Sequence, residues 1–213
     1  MENNIVELGL EFVKEFFEGE ASGHDYFHTF RVFKNAQLLL NHMPEADKEI
    51  CLLGAILHDV DDDKISPETH ENKDNARAFL NKNNYPHDRI DFICKIIGEV
   101  SFSEGIIPES IEGKIVQDAD RLDAIGAIGI ARTFAYGGNK GRQIYNPEIK
   151  PDLTKSKQEY KTSKPPTINH FYEKLLLLKD MMNTDIAKEI AEKRTVFMEN
   201  YLEEFFAEWN GER

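Results

Sequence analysis

Cysteine is scarce in this sequence, with only Cys51 and Cys94 among 213 residues. Each lies inside an apolar helical pattern, where a free thiol behaves as a small buried hydrophobic residue. So low a number excludes a disulfide framework and a metal site built from paired thiolates. We therefore expect any metal to be bound through nitrogen and oxygen, and the cysteine usage fits a cytoplasmic protein.

Long apolar runs are also missing. No segment reaches the roughly 20 apolar residues that a membrane-spanning helix needs. Residues 1–17 mix acidic with apolar side chains and do not place a basic stretch before a continuous apolar one, as a signal peptide would. We expect neither a signal peptide nor contact with a membrane, and we place the protein in the cytoplasm.

Positive charge is in deficit. The chain has 26 Lys and Arg residues against 39 Asp and Glu residues, which gives a net charge of −13. Because a nucleic acid backbone attracts basic surfaces, this balance argues against a nucleic acid polymer as a partner. A small anionic substrate remains compatible with it if a few cationic side chains gather at one cleft and a bound metal ion offsets the carboxylates there.

The sequence is rich in helical periodicity. Apolar residues recur at steps of three and four almost throughout, and no convincing strand alternation is visible. A chain of 213 residues with 40% hydrophobic content can bury a core of its own. We predict an all-α fold, formed as a single compact domain over residues 1–213, with eight helices at about 2–18, 26–42, 46–59, 68–82, 87–102, 109–136, 168–182 and 184–208.

One long stretch without helical pattern covers residues 137–166 and is rich in Gly, Pro and Lys. Loops of this length inside compact domains are usually lids, binding loops or disordered segments. The stretch could help to shape a substrate pocket, and the alternative is an excursion with no role.

The first cluster of chemically suggestive residues lies at 23–32, around the start of the second predicted helix. His24, His28 and Arg31 follow one another at steps of four and three, so they share one helical face. Such a face can hold a cation or an anion. A lone histidine here would more often be a helix cap or a packed core residue.

The second cluster closes an apolar helix with His58 and Asp59, followed by aspartates at 61–63 and by Lys64. Crowded carboxylates are electrostatically costly unless a cation or a catalytic task compensates them. A solvated acidic turn is the alternative, but the apolar helix directly before the doublet favours a buried one.

The third cluster lies within residues 115–127. Asp120 and Asp123 share a face there, although carboxylates are unusual on so apolar a helix. Asp118 and Asp123 have another explanation as partners of Arg121 or Arg132. We therefore assign one metal ligand to this helix and not three.

Two histidines and two aspartates from three helices form a mixed nitrogen and oxygen set, which suits Mn²⁺, Fe²⁺ or a similar divalent ion. Such an ion lowers the pKa of a bound water and polarises a phosphoryl oxygen, while neighbouring Arg and Lys side chains hold the remaining phosphate charge. The residues thus favour hydrolysis of phosphate esters or anhydrides.

In this order and at these separations the motifs resemble those of the HD-domain superfamily: a first His in His28-x-x-Arg31, the doublet His58-Asp59, and a final Asp in Asp118-x-Asp120. The likeness to the small bacterial single-domain HD hydrolases continues through residues 127–132 and 169–176, so that it covers nearly the whole chain. It places the motif core at about 24–125 and the C-terminal helices at about 168–208. The resemblance implies an all-α fold and one divalent metal ion per chain on His28, His58, Asp59 and Asp120.

We expect that ion to be Mn²⁺, with Fe²⁺, Co²⁺, Ni²⁺, Mg²⁺ or Zn²⁺ as alternatives. The resemblance also implies hydrolysis of a nucleoside or deoxynucleoside triphosphate to its monophosphate and pyrophosphate. Alarmone hydrolases of the same superfamily carry two acidic residues after the doublet, which correspond here to Asp62 and Asp63. We take these two as catalytic candidates that orient or deprotonate water. The family usually has Glu where this chain has Asp62, one methylene shorter.

Five further residues are our candidates for substrate binding, because each lies in or beside a matched motif and an acidic protein needs local cations to hold an anion. Any of the charged ones could instead form a surface salt bridge, and His24 could contact phosphate or support the metal ligands. The five are His24, Arg31, Lys64, Arg121 and Lys174.

Other functions stay open at this point. A nucleoside monophosphate phosphatase or another nucleotide phosphodiesterase would use the same metal chemistry. A di-iron oxygenase would need extra histidines, and His70 and His87 lie in the right interval, although helix starts explain both. A nucleotide sensor without turnover is the third alternative, and the aromatic C-terminal segment could support a homodimer.

Overall fold

The computed structural model describes residues 4–19, 25–63, 65–100, 105–153 and 164–213. All regular structure in these residues is helical, which confirms the predicted all-α class. The α-helices are α1 Ile5–Phe16, α2 Tyr26–Leu40, α3 Lys48–Leu57, α4 Asp74–Lys82, α5 His87–Val100, α6 Ile111–Asp123, α7 Gly126–Asn139, α8 Asn169–Glu173 and α9 Asp185–Trp209, and a 3-10 helix covers Leu175–Met181. No helix among the described residues is long and apolar enough to span a bilayer.

The chain divides into two compact units, Met1–Asp120 and Arg121–Arg213. In the first unit α3 is the central helix, because every residue from Ile50 to Leu57 is buried and the helix packs against α1, α2 and α5. In the second unit α9 packs against α7 and the 3-10 helix. The expectation of one domain over residues 1–213 stays a prediction.

Side-chain caps explain why the first three helices begin near their predicted positions. Asn4 accepts a hydrogen bond from the backbone N–H of Val6, Asp25 accepts one from His28, and Asp47 caps α3 in the same way. A short polar side chain at the N-cap satisfies donors that the helix itself leaves unpaired. This local signal is readable from sequence.

Three predicted helices have different bounds in the structure. The predicted helix at 109–136 is two helices, because the chain turns after Asp123 and Gly126 takes a φ of 79°. The predicted helix at 168–182 is α8 followed by the 3-10 helix, and the one at 68–82 begins only at Asp74. The stretch without helical pattern starts after Asn139 and not at residue 137, since α7 continues through two glycines.

Candidate metal centre

Helix α2 carries the first histidine of the site. Asp25 is the N-cap of this helix, and its side chain accepts the His28 backbone N–H at 2.7 Å. Because the cap lies one turn ahead of His28, it sets the start of the helix that holds the imidazole. The residue is buried, with 3% of its surface exposed.

The second histidine lies at the end of the central helix. Helix α3 ends at Leu57, His58 is its C-cap, and Asp59 follows in a turn. The Nδ1 atom of His58 lies 2.9 Å from the carbonyl oxygen of Ala55. A carbonyl only accepts, so Nδ1 carries the proton and donates, and in the neutral ring Nε2 keeps its lone pair for a metal ion.

The two histidines predicted as metal ligands lie close to each other and to both predicted carboxylates in the unit Met1–Asp120. The Nε2 atoms of His28 and His58 are 3.3 Å apart, and the Oδ2 atom of Asp59 lies 3.3 Å from each of them. The Oδ1 atom of Asp120 lies 3.4 Å from Nε2 of His28 and 3.8 Å from Nε2 of His58. Ligand atoms about 2.1 Å from one ion, at right angles to each other, are about 3 Å apart. The donor set and its spacing therefore fit a divalent metal ion.

The electrostatics of the site favour a positive charge. Burial disfavours the charged imidazolium of His58, but the carboxylates of Asp59 and Asp120 outweigh burial and raise its pKa above the usual value. Burial also opposes the charge on Asp120, yet the hydrogen bond from His28 and the charge on His58 lower the pKa of this carboxyl. A carboxylate that stays ionised beside two imidazoles favours the binding of a cation.

One ligand faces the solvent. The side chain of Asp120 is 28% exposed, whereas that of His58 is 2% exposed. A metal ion held here would be covered on the histidine side and accessible on the Asp120 side, which is the arrangement that catalytic sites need in order to admit water and substrate.

The two catalytic candidates lie in the turn after the doublet. The backbone N–H of Asp62 donates to the Asp59 carbonyl at 3.1 Å, and the Asp62 carbonyl accepts from Ser66 at 2.8 Å. Asp62 is partly buried and Asp63 is exposed. Both residues therefore lie in the turn that begins at Asp59, a predicted metal ligand. Their catalytic role stays a prediction.

The substrate-binding candidates are placed differently from one another. Arg31 lies on α2, one turn beyond His28 and partly buried. Arg121 is buried and its Nη1 donates to the carbonyl of Met181, so this nitrogen already has an acceptor in the protein. Lys174 is the C-cap of α8. Their roles stay predictions, and His24 and Lys64 lie outside the described residues.

Two further aspartates from the acidic clusters have structural roles in the fold. Asp123 is buried and pairs with Arg132, as one alternative from the sequence predicted. Asp61 is buried as well and accepts the backbone N–H groups of Asn75 and Ala76, each at 3.0 Å. It caps helix α4 from a distance, which sequence reasoning missed because its two donors lie 14 and 15 residues away.

Sequence reasoning also missed a residue that supports the site. The Nδ2 atom of Asn35 donates to the Ala119 carbonyl at 3.0 Å in a buried hydrogen bond between α2 and α6. Asn35 follows His28 by seven residues, which is two helical turns. The sequence could therefore have indicated that Asn35 lies on the same helical face as His28.

The two extra histidines have no place in a second metal group. His70 lies 2.8 Å through Nδ1 from the carbonyl oxygen of Asp61, and His87 is the exposed first residue of α5. Across the described parts of the chain, the one group of three or more possible ligands with mutually close donor atoms is His28, His58 and Asp120.

Comparison with known proteins identifies the family of the region that contains these residues. Residues 25–125 match the HD domain family, and this range includes all four predicted ligands. The uncharacterized protein YpgQ of Bacillus subtilis (strain 168) is 38% identical over 190 residues, which are 87% of this chain and 84% of that protein.

Two solved structures are similar over nearly the full length. The crystal structure of an HD-superfamily hydrolase from Bacillus thuringiensis is 42% identical, with a TM-score of 0.76 and 96% of each chain covered. The crystal structure of Bacillus subtilis YpgQ in complex with ADP is 35% identical, with a TM-score of 0.74, and covers 94% of this chain and 95% of that one. With residues 25–125 matching the HD domain and relatives 38% and 42% identical over most of both chains, the chain belongs to the HD-domain family of metal-dependent phosphohydrolases.

Proposed function

We propose that this protein hydrolyses a nucleoside or deoxynucleoside triphosphate to the monophosphate and pyrophosphate. The observation that carries the proposal is the convergence of two imidazole nitrogens and two carboxylates, with Asp120 on the exposed side of the group. A nucleotide as ligand is supported by the ADP complex of YpgQ, at 35% identity.

The residues His28, His58, Asp59 and Asp120 would hold the metal ion. A divalent ion in this position polarises a phosphoryl oxygen and lowers the pKa of bound water. The ligand set does not select among the divalent metals by affinity alone, and Mn²⁺ is our choice because imidazole and carboxylate together suit it.

The protein's own residues then have two tasks. Asp62 or Asp63, in the turn next to Asp59, accepts the proton of the attacking water. Arg31, one turn from His28, binds phosphate oxygens, with Lys64, Arg121, Lys174 and His24 as further candidates. A guanidinium pairs with two phosphate oxygens at once and so orients the group as well as offsetting its charge.

The first test is product analysis on mono-, di- and triphosphates of ribo- and deoxyribonucleosides, with Mn²⁺, Mg²⁺, Co²⁺ or a chelator. We expect pyrophosphate from triphosphates, with a loss of more than about 100-fold in Asp59→Ala because a metal ligand is removed. Asp88→Ala removes an exposed carboxylate from α5 and is the matched control. It is expected to keep wild-type turnover.

The alternatives give different readouts in the same assay. Orthophosphate from monophosphates would replace the proposal with a nucleotidase. Tight nucleotide binding with no product under any metal would indicate a sensor, and two redox-active iron ions per chain would indicate an oxygenase.

The catalytic carboxylate is identified by comparing Asp62→Asn with Asp63→Asn. The variant that lacks the base should retain wild-type metal affinity and lose about 10²–10⁴-fold in kcat. Wild-type kcat in both variants would remove these residues from the mechanism.

A further inference from the structure

A group of three basic side chains lies on two segments of the unit Arg121–Arg213 that backbone hydrogen bonds hold side by side. The Thr167 N–H donates to the Gln143 carbonyl at 2.8 Å, and the Ile168 N–H donates to the Ile144 carbonyl at 3.0 Å. This pairing brings Arg142, which directly precedes Gln143, to the segment that leads into α8.

Helix α8 and its C-cap residue supply the other two side chains. His170 and Lys174 are four residues apart and share one face, with the Lys174 N–H donating to the His170 carbonyl at 3.0 Å. The side chains of Arg142, His170 and Lys174 are all partly buried. Basic groups gathered in this way are unusual in a chain whose net charge is −13.

Arg142 is held in place before any ligand binds. Its backbone N–H donates to the Gly137 carbonyl at 2.8 Å, and its guanidinium lies 5.4 Å from the centre of the Tyr136 ring. The Nε atom is buried and has no acceptor in the part of the chain that the structure describes. Buried donors normally have an acceptor, so the Arg142 guanidinium is not committed through this nitrogen to a group among the described residues.

The environment of His170 agrees with an anion as that ligand. Burial first, and then the positive charges of Lys174 and Arg142, lower the pKa of its imidazole to about 3. The ring is therefore neutral at pH 7 and offers an N–H donor without adding charge. Because the positive charges of Lys174 and Arg142 both act on this ring, an anion bound beside the ring interacts favourably with both.

We propose that Arg142, His170 and Lys174 form a binding site for a phosphate-bearing anion, either pyrophosphate or the diphosphate group of a nucleotide. Arginine matches phosphate oxygens with its planar fork, lysine adds a point charge, and the imidazole adds one neutral donor. The inference rests on the proposed function only for the identity of the anion, since binding itself requires no turnover.

The test is calorimetric titration of the full-length protein with inorganic pyrophosphate in the presence of EDTA, so that no phosphate is held through a metal ion. Arg142→Gln and Lys174→Gln should each weaken binding at least about tenfold, the loss typical of a charge-assisted hydrogen bond. Lys140→Gln is the matched control, because Lys140 lies over the same Tyr136 ring at 5.6 Å. It should change the affinity less than about twofold, as expected of an exposed charge.

Three further measurements complete the test. The His170 imidazole resonances should shift on addition of pyrophosphate, and ADP should displace pyrophosphate whereas adenosine should not. Failure of ADP to compete would restrict the site to free pyrophosphate. If Arg142→Gln does not fold, Arg142→Lys, which keeps the charge but loses the fork, should give an intermediate affinity.

Two results would overturn the proposal: wild-type affinity in Arg142→Gln, or an equal loss in Lys140→Gln, which would indicate unspecific attraction. Asp59→Ala should bind pyrophosphate under EDTA as the wild type does. A protein that binds pyrophosphate but hydrolyses no nucleotide would therefore refute the proposed function and leave the anion site standing.

Discussion

At the scale of single residues, the site depends on hydrogen bonds that orient the ligands. The Ala55 carbonyl holds the proton of His58 on Nδ1 and so directs Nε2 toward His28 and Asp59. Partners of this kind fix both the tautomer and the orientation of a ligating histidine. A backbone carbonyl thus orients His58 for metal binding.

Asn35 has a similar role toward Asp120, because its amide holds the neighbouring Ala119 carbonyl across two helices. We predict that Asn35→Leu, which keeps the size of the side chain but loses the donor, weakens metal binding about 10-fold to 100-fold. Isothermal titration with Mn²⁺ measures this affinity.

Gln37→Leu is the control for that substitution, since Gln37 lies on the same helix and its amide oxygen accepts only an exposed hydrogen bond from Lys34. It should bind Mn²⁺ with wild-type affinity. Equal affinities in the Asn35 variant and the wild type would show that Asp120 is positioned without this bond.

At the scale of helices, α4 obtains its cap from a residue outside itself. Its own N-cap, Lys73, makes no side-chain hydrogen bond to the first turn of the helix and takes a φ of 58°. Asp61 instead accepts hydrogen bonds from two backbone N–H groups in the first turn of the helix. This aspartate of the acidic run therefore has a structural role. This is why α4 begins at Asp74.

We predict that Asp61→Ala lowers the free energy of unfolding by about 2 kcal/mol, because two helix N–H groups lose a buried acceptor. Asp63→Ala, which removes an exposed carboxylate from the same run, should change it by less than about 0.5 kcal/mol. Urea denaturation followed by circular dichroism compares the two. A similar small change in both variants would mean that the cap contributes little.

The boundary between α6 and α7 is the second feature at this scale. Gly126 has a φ of 79°, and a Cβ atom there would lie 3.1 Å from Cγ of Arg194. The guanidinium of Arg194 donates to the Leu122 carbonyl at 2.5 Å, which satisfies an acceptor in the last turn of α6. Arg194, which lies on α9, thus stabilises the break between the two helices.

We predict that Gly126→Ala destabilises the protein by about 1–2 kcal/mol, since an L-residue is strained at positive φ. Gly138→Ala in α7 is the control, because a Cβ atom there would meet nothing within 4 Å. It should leave stability unchanged or raise it by up to about 1 kcal/mol. Thermal unfolding of both variants measures the difference in stability, and equal melting temperatures would contradict the expected strain.

At the scale of the whole molecule, the candidate metal centre lies entirely within one of the two compact units. The predicted ligands His28, His58, Asp59 and Asp120 all belong to Met1–Asp120, although the last follows the first by 92 positions in the sequence. An ion bound to all four connects distant parts of the chain and binds only where they are assembled. Ligands that bind the folded state alone stabilise it.

We predict that Mn²⁺ at 100 times its dissociation constant stabilises the protein by about 2.7 kcal/mol, which raises the melting temperature by about 5–10 °C. EDTA should reverse the shift. Asp120→Ala, at the same metal concentration, should show less than half of it. An unchanged shift in that variant would mean that the ion binds elsewhere.

The sequence by itself was sufficient to predict the helical class and to select the candidate residues of the site. A periodicity of three and four residues is local, and so are the caps at Asn4, Asp25 and Asp47. His28, His58, Asp59 and Asp120 could be selected because their residue types and order match a family. In the structure the imidazole nitrogens of His28 and His58 lie within 3.3–3.8 Å of each other and of a carboxylate oxygen of both Asp59 and Asp120, and the ligand roles stay predictions.

Only the tertiary structure decided which charged residues serve the fold. Asp61 caps α4 and Arg121 donates to the Met181 carbonyl, and neither partner is near in sequence. The same holds for the approach of Arg142 to α8, which depends on backbone hydrogen bonds between residues 143–144 and 167–168. The physical reason is that helix periodicity and capping act over a few residues, whereas the partner of a buried charge is whatever group the folded chain brings to it.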